Sequence, residues 1–167
     1  HNTLGITLAM KNKEDLAVKH FLNASKINQN FVDPIYNLLE IYEKTNKFSS
    51  LKNLVKQKIK LFPSDQIIIF YQSYIFEKDN KLDLALNSLR KIDFSKINIE
   101  WEVKAKFRIA DIYHKFKNYE KAFVYFNYAN KTILENINAD KFTKNIFLKE
   151  INKCIKYSVS SSSLNYN

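Results

Sequence analysis

Residues 109–130 read IADIYHKFKNYEKAFVYFNYAN, and this stretch decides the fold. Ile109 and Tyr113 lie four residues apart, the spacing that stacks two side chains on one helical face. Ala122, Phe126 and Ala129 make a second stripe at i, i+4 and i+7. The short segment Lys115-Phe116-Lys117-Asn118 joins the two stripes. The reading is helix, turn, helix. The small Ala side chains let the two helices approach closely, and the aromatic between them fills the space alongside.

The same pattern recurs along the chain, and such recurrence governs the reading of a helical sequence. Leu4, Leu38, Gln72 and Ile109 are spaced 34, 34 and 37 residues apart. Four further columns keep that register: Leu8, Tyr42, Phe76 and Tyr113; Ala17, Leu51, Ala85 and Ala122; Phe21, Val55, Leu89 and Phe126; Ala24, Lys58, Ile92 and Ala129. Polar connections recur too, at Lys11-Asn12-Lys13, Lys44-Thr45-Asn46-Lys47 and Lys78-Asp79-Asn80-Lys81. The expected architecture is all-α, an array of antiparallel helix hairpins. Its units cover about 1–31, 32–65, 66–102 and 103–136.

At this point the chain resembles the tetratricopeptide repeat (TPR) family. That family's unit carries a large then a small residue and an aromatic in its first helix, and Ala, an aromatic and Ala in its second. Unit four matches with Ile109-Ala110, Tyr113, Tyr119, Ala122, Phe126 and Ala129. Unit one matches with Leu4-Gly5, Leu8, Ala17, Phe21 and Ala24. Unit two gives Leu38, Tyr42, Phe48 and Pro63, but Leu51 and Lys58 replace both small residues. Unit three gives Ser73, Phe76, Leu82, Ala85 and Leu89, with Gln72 at the large position. These departures predict looser packing in the second and third hairpins. The resemblance implies an α-α superhelical solenoid with a concave inner face.

The 37-residue step places three extra residues near Asp93–Glu100, and the first helix of unit four should start near Trp101. A closing amphipathic helix is expected within 139–157, where Phe142, Ile146, Ile151 and Ile155 share a face with Cys154 near it. Such a helix would cap the array and complete a domain of residues 1–157. The Ser-rich segment 158–167 reads as a linker or tail. The chain opens at His1 within helix-like sequence, without a secretory leader, and reads as a piece of something longer with a cytoplasmic setting.

Composition supports this and removes several function classes. Hydrophobic residues make up 46% of the 167 residues, so a packed core is affordable. One Gly and two Pro leave few tight turns. A phosphate cradle needs several glycines, and Gly5 alone cannot supply one; it reads as a small residue at a helix crossing. One Cys and three scattered His give no zinc spacing. No apolar run approaches the ~18 residues of a membrane span. Glu14-Asp15, and Asp111 with Glu120, read as solvated or salt-bridged residues on patterned helices. Cys154 with His114 is not placed together by anything in the sequence. The expectation is no catalytic residue, no cofactor and no metal.

Function is therefore expected as protein or peptide binding, with self-association a further possibility the sequence leaves open. By the resemblance, the concave face is lined by first helices. It should offer Tyr36, Asn37, Glu40 and Lys44 from unit two, Phe70, Tyr71, Tyr74 and Lys78 from unit three, and Lys104, Phe107, Arg108, Asp111 and Lys115 from unit four. Tyr36, Phe70 and Phe107 share one repeat position and could ladder along the groove. The family's carboxylate clamp is matched only by Lys104 and Arg108. Tyr36, Glu40 and Tyr71 stand where its Lys and Asn residues should be, and Glu40 would repel a carboxylate.

The net charge of +10 is uneven: residues 103–167 hold 12 basic and 5 acidic side chains, or +7. Such a bias could suit nucleic acid through Lys141, Lys144, Lys149 and Lys153. The Arg content is low, with only Arg90 and Arg108, and this argues against a nucleic-acid reader. Lys52, Lys56 and Lys60 form a stripe best read as a solvated face. Finally, Tyr119-Glu120-Lys121-Ala122-Phe123, Tyr125-Phe126 and Ala129-Asn130, followed by a basic segment, resemble the end of the repeat region that precedes a sulfotransferase domain in some bacterial proteins. That resemblance implies an alternative role as the non-catalytic N-terminal module of a sulfotransferase, the donor-binding domain being absent from this chain.

Overall fold

The computed structural model describes residues 1–136. The helix and tail expected within 139–167, with Cys154 and the four lysines above, lie outside the described residues. Among the described residues there are eight α-helices, one 3-10 turn and no strand. They run α1 (Asn2–Met10), α2 (Glu14–Ile27), α3 (Asp33–Lys44), α4 (Phe48–Leu61), α5 (Gln66–Lys78), α6 (Leu82–Leu89), the 3-10 turn Phe94–Lys96, α7 (Ile99–Lys115) and α8 (Tyr119–Asn136). They form two compact units, His1–Asn98 and a second that begins at Ile99. In the first, α1/α2, α3/α4 and α5/α6 pair as hairpins, and α3 and α5 also pack on the helix before them. In the second, α7 pairs with α8.

Every hairpin turns in the same way. Asn12, Asn46, Asn80 and Lys117 have φ of 54°, 54°, 57° and 58°. They are one column of the repeat, at steps of 34, 34 and 37. In the first turn, Asn12 N–H donates to the Ala9 carbonyl at 2.9 Å and Lys13 N–H donates to Leu8 at 2.9 Å. The last turn repeats this with Lys117 to His114 at 2.8 Å and Asn118 to Tyr113 at 2.9 Å. These are the two bonds of a Schellman C-cap, which uses up carbonyls that a helix end otherwise leaves unpaired. A left-handed residue is needed there, and Asn tolerates that conformation better than other residues with a Cβ.

Two of the columns read from sequence lie in the core, whereas Leu4, at the head of the first, is 48% exposed. Ala17, Leu51 and Ala85 are fully buried and Ala122 nearly so; Phe21, Val55 and Leu89 are buried beside them. At Leu51 the larger side chain is accompanied by a smaller one, Val55, where the other units place Phe21, Leu89 and Phe126. Bulk is thus exchanged between neighbouring columns, a swap that cores accept at small cost. Leu51 and Val55 are 0% and 2% exposed, so the burial offers no support for loosening in the second hairpin. In the third, Ser73 is fully buried and its hydroxyl donates to the Phe70 carbonyl at 2.6 Å. Lys58, at a small position, is half-buried.

The three extra residues are taken up on both sides of the 3-10 turn. α6 has 8 residues where α2 and α4 have 14. The Asp93 carboxylate accepts from Ser95 N–H (3.1 Å) and Ser95 Oγ (2.7 Å), and Asp93 N–H donates to Gln66 Oε1 (2.7 Å), which pins the turn to the start of α5. α7 then begins at Ile99, two residues before the expected start, and runs for 17 residues.

Candidate functional site

The first helices of the first unit are α1, α3 and α5, and the expected site residues on them have different fates. Tyr36 points its hydroxyl at Asp65, donating to Oδ2. The other oxygen of that carboxylate caps α5 by accepting from Ile67 and Ile68 N–H at 3.0 and 2.9 Å. Burial, then the hydrogen bond to Asp65, pushes the Tyr36 hydroxyl well above its ordinary pKa. Phe70 and Tyr71 are 3% and 0% exposed and pack edge to face, with ring centroids 5.4 Å apart. This corrects the expectation that these two side chains line a groove. α5 is apolar on nearly every side, from Ile67 to Phe76, and a helix of that kind is covered all round.

Asn37 and Glu40 do reach an open cleft. Its volume is about 220 Å³. Ile6, Ala9 and Met10 of α1 form one wall, Glu14 and Phe21 of α2 the base, and Asn37, Glu40, Ile41 and Lys44 of α3 the other wall. Asn37 Nδ2 donates to Asn2 Oδ1 across the two first helices at 3.2 Å. Lys44 Nζ meets Glu14 Oε1 at 3.1 Å. The backbone N–H of Glu14 itself, then Lys44, hold the Glu14 carboxyl below its usual range. Ile6 is 41% and Met10 80% exposed, so apolar surface is offered beside two carboxylates.

A second cleft, of about 280 Å³, lies one repeat along. Tyr42, Glu43, Asn46, Phe48 and Leu51 face Tyr74 and Lys78 across it. Phe48 and Tyr74 meet edge to face at 6.3 Å and 79°. Lys78 Nζ lies 5.4 Å from the Tyr74 ring centre. Lys52, from the stripe expected to be a solvated face, bridges to the Asp79 carboxylate at 2.6 Å and so ties α4 to the end of α5. Of the residues expected on the inner face, Tyr74 and Lys78 line this cleft. Tyr42 and Phe48 were legible only as positions of the repeat pattern.

In the second unit, Lys104, Phe107, Arg108 and Asp111 all stand on α7. Lys104 pairs with Glu100 at 2.6 Å and its Nζ lies 4.3 Å from the Trp101 ring centre. Phe107 is half-buried with its ring 6.0 Å from Phe126, Arg108 is half-buried, and Asp111 is exposed. His114 packs edge-on against Tyr119 at 5.5 Å. Among the described residues no group of three His, Cys, Asp or Glu side chains could hold a metal ion, and no helix is long and apolar enough to cross a membrane.

No family profile and no curated protein sequence matches the chain. Solved structures do. MamA residues 41 to the end from Desulfovibrio magneticus RS-1 superposes with a TM-score of 0.60 at 15% identity, over 81% of this chain and 75% of that one. MamA from AMB-1 gives 0.58 at 18% identity, over 80% and 78%. The fold is a TPR-type helical array. At these identities the likeness concerns the fold alone. An RS-1 MamA double mutant gives the same TM-score, 0.60, over 83% of this chain.

Proposed function

We propose that this chain is a non-catalytic binding module that takes a protein or peptide segment on the first-helix face of its first unit, with the cleft between α1 and α3 as the contact site. The observation that carries this is the conjunction of exposed Ile6 and Met10 with Asn37 and Glu40 around one cleft. Apolar side chains supply area, while the amide and carboxylate select orientation, the usual division of labour in such sites. α1 contains no charged residue at all, in a chain where 26% of residues are charged. An uncharged helix wall suits apolar contact with a partner.

A peptide-display selection on the immobilised chain tests the reading. Saturable enrichment that is lost in Met10→Asp and Glu40→Lys is expected. Enrichment indifferent to both substitutions would remove the site from the account.

The alternative, accessory module of a sulfotransferase, is favoured by one feature. Tyr119, Phe123 and Tyr128 are 60%, 66% and 53% exposed on the helix that carries that resemblance, an aromatic surface that an adjoining domain could cover. Reading the coding sequence past Asn167 tests it: a glycine-containing donor loop supports the transferase, and its absence refutes it.

A further inference from the structure

The two clefts are the same feature of consecutive repeats, and their chemistry has diverged. Ala9, Glu14, Glu40 and Lys44 in the first correspond, 34 residues on, to Glu43, Phe48, Tyr74 and Lys78 in the second. In the first, Lys44 is neutralised by Glu14 at 3.1 Å. In the second, Phe48 stands where Glu14 stood and Tyr74 where Glu40 stood. Lys78 therefore lacks both carboxylates of the repeat position, and rests over the Tyr74 ring instead. The neighbouring cation, Lys52, is already engaged with Asp79 at 2.6 Å. The second cleft thus has aromatic walls, a cation, Lys78, at its rim that has lost the two acids of the first cleft, and one carboxylate, Glu43, where Ala9 stood.

We propose that this cleft accepts an anionic segment of a protein partner, an Asp or Glu carboxylate beside an aromatic or aliphatic side chain. The apolar side chain would lie against Tyr42, Phe48 and Leu51. The carboxylate would pair with Lys78, an ion pair partly shielded from water by the two rings. The first cleft has two carboxylates, Glu14 and Glu40, and its lysine is already paired with one of them, whereas the second has Glu43 alone, so the first would favour that ligand less. The inference rests on the peptide-binding reading but uses a different cleft.

The test titrates the isotope-labelled full chain with the acetylated, amidated peptide Gly-Phe-Glu-Gly and with its Gly-Phe-Gln-Gly twin, following backbone amide shifts. Blocked termini leave the glutamate as the only charge. The expected result is saturable shifts at Asn46, Phe48, Tyr74 and Lys78, with the Glu peptide binding about fivefold more tightly than its twin, the value of a modest ion pair. Lys78→Gln should erase that preference and Lys78→Arg should keep it. Phe48→Glu, which recreates the Glu14–Lys44 arrangement, should also erase it. Equal binding of both peptides, or a preference that survives Lys78→Gln, overturns the proposal. Shifts confined to Ala9, Asn37 and Lys44 overturn it while leaving peptide binding standing. No shifts at all overturn it too, and the fate of the wider reading then rests with the display selection.

Discussion

A Cβ added at Gly5 would stand 2.5 Å from Cε1 of Phe21, closer than real side chains come. Phe21 is 1% exposed and reaches across the α1–α2 crossing, so its ring occupies the room that a methyl group would need. The repeat puts Ser73 and Ala110 in the same column, both small, while Leu39 is its large exception.

Gly5→Ala should therefore destabilise the protein although Ala is the better helix former. The propensity gain is ~1 kcal/mol, and overpacking costs about 1–3 kcal/mol. Urea unfolding should show a net loss of up to about 2 kcal/mol. The double variant Gly5→Ala with Phe21→Leu should lose less than the two singles combined, because they share one space. A stabilising Gly5→Ala would mean that the crossing has slack.

Lys117 is the one left-handed turn residue of its column that is not Asn. Lys117→Asn should stabilise the second unit by several tenths of a kcal/mol, on the order of 0.5. Asn46→Ala should move the other way by about 1 kcal/mol. Thermal melts of both variants check the pair, and equal melting temperatures would contradict it.

Asp65 holds α5 and Tyr36 with its two oxygens, one each. Asp65→Ala removes a cap and should cost ~1–2 kcal/mol. Tyr36→Phe removes only the second contact and should cost about 1 kcal/mol. The hydroxyl is also a sensor of alkaline pH. Its pKa is raised in the folded state, so the stability it contributes is complete below the unfolded value near 10 and is lost as pH rises beyond it. Urea midpoints of the native chain should thus fall more steeply between pH 9 and 11 than those of Tyr36→Phe, about 10 being the unfolded tyrosine value. Parallel curves would contradict this.

The fold was legible because its signal is repeated. One hairpin such as 109–130 shows two amphipathic stripes, and the columns fix where the others lie. The turn mechanism was less visible: Asn12, Asn46 and Asn80 read as generic polar turn residues, although their shared column already marked a backbone requirement. Site residues were legible only in part. Assigning exposure by repeat position put Asn37 and Glu40 on a cleft, but failed for Phe70 and Tyr71, because α5 has apolar residues on all sides and neighbours to cover them. Of the second cleft, Tyr74 and Lys78 were expected on the inner face, but its chemistry escaped because it depends on substitutions relative to the repeat, Phe48 for an acid and Tyr74 for another, and a search for shared positions passes over differences.

Binding of a protein segment in the cleft between α1 and α3 is best checked by amide-shift mapping of the labelled full chain with a peptide recovered from display selection. The account predicts saturable shifts at Ile6, Ala9, Met10, Asn37, Glu40 and Lys44, abolished by Glu40→Lys. Shifts that spare these positions and gather on α7 and α8 would contradict it.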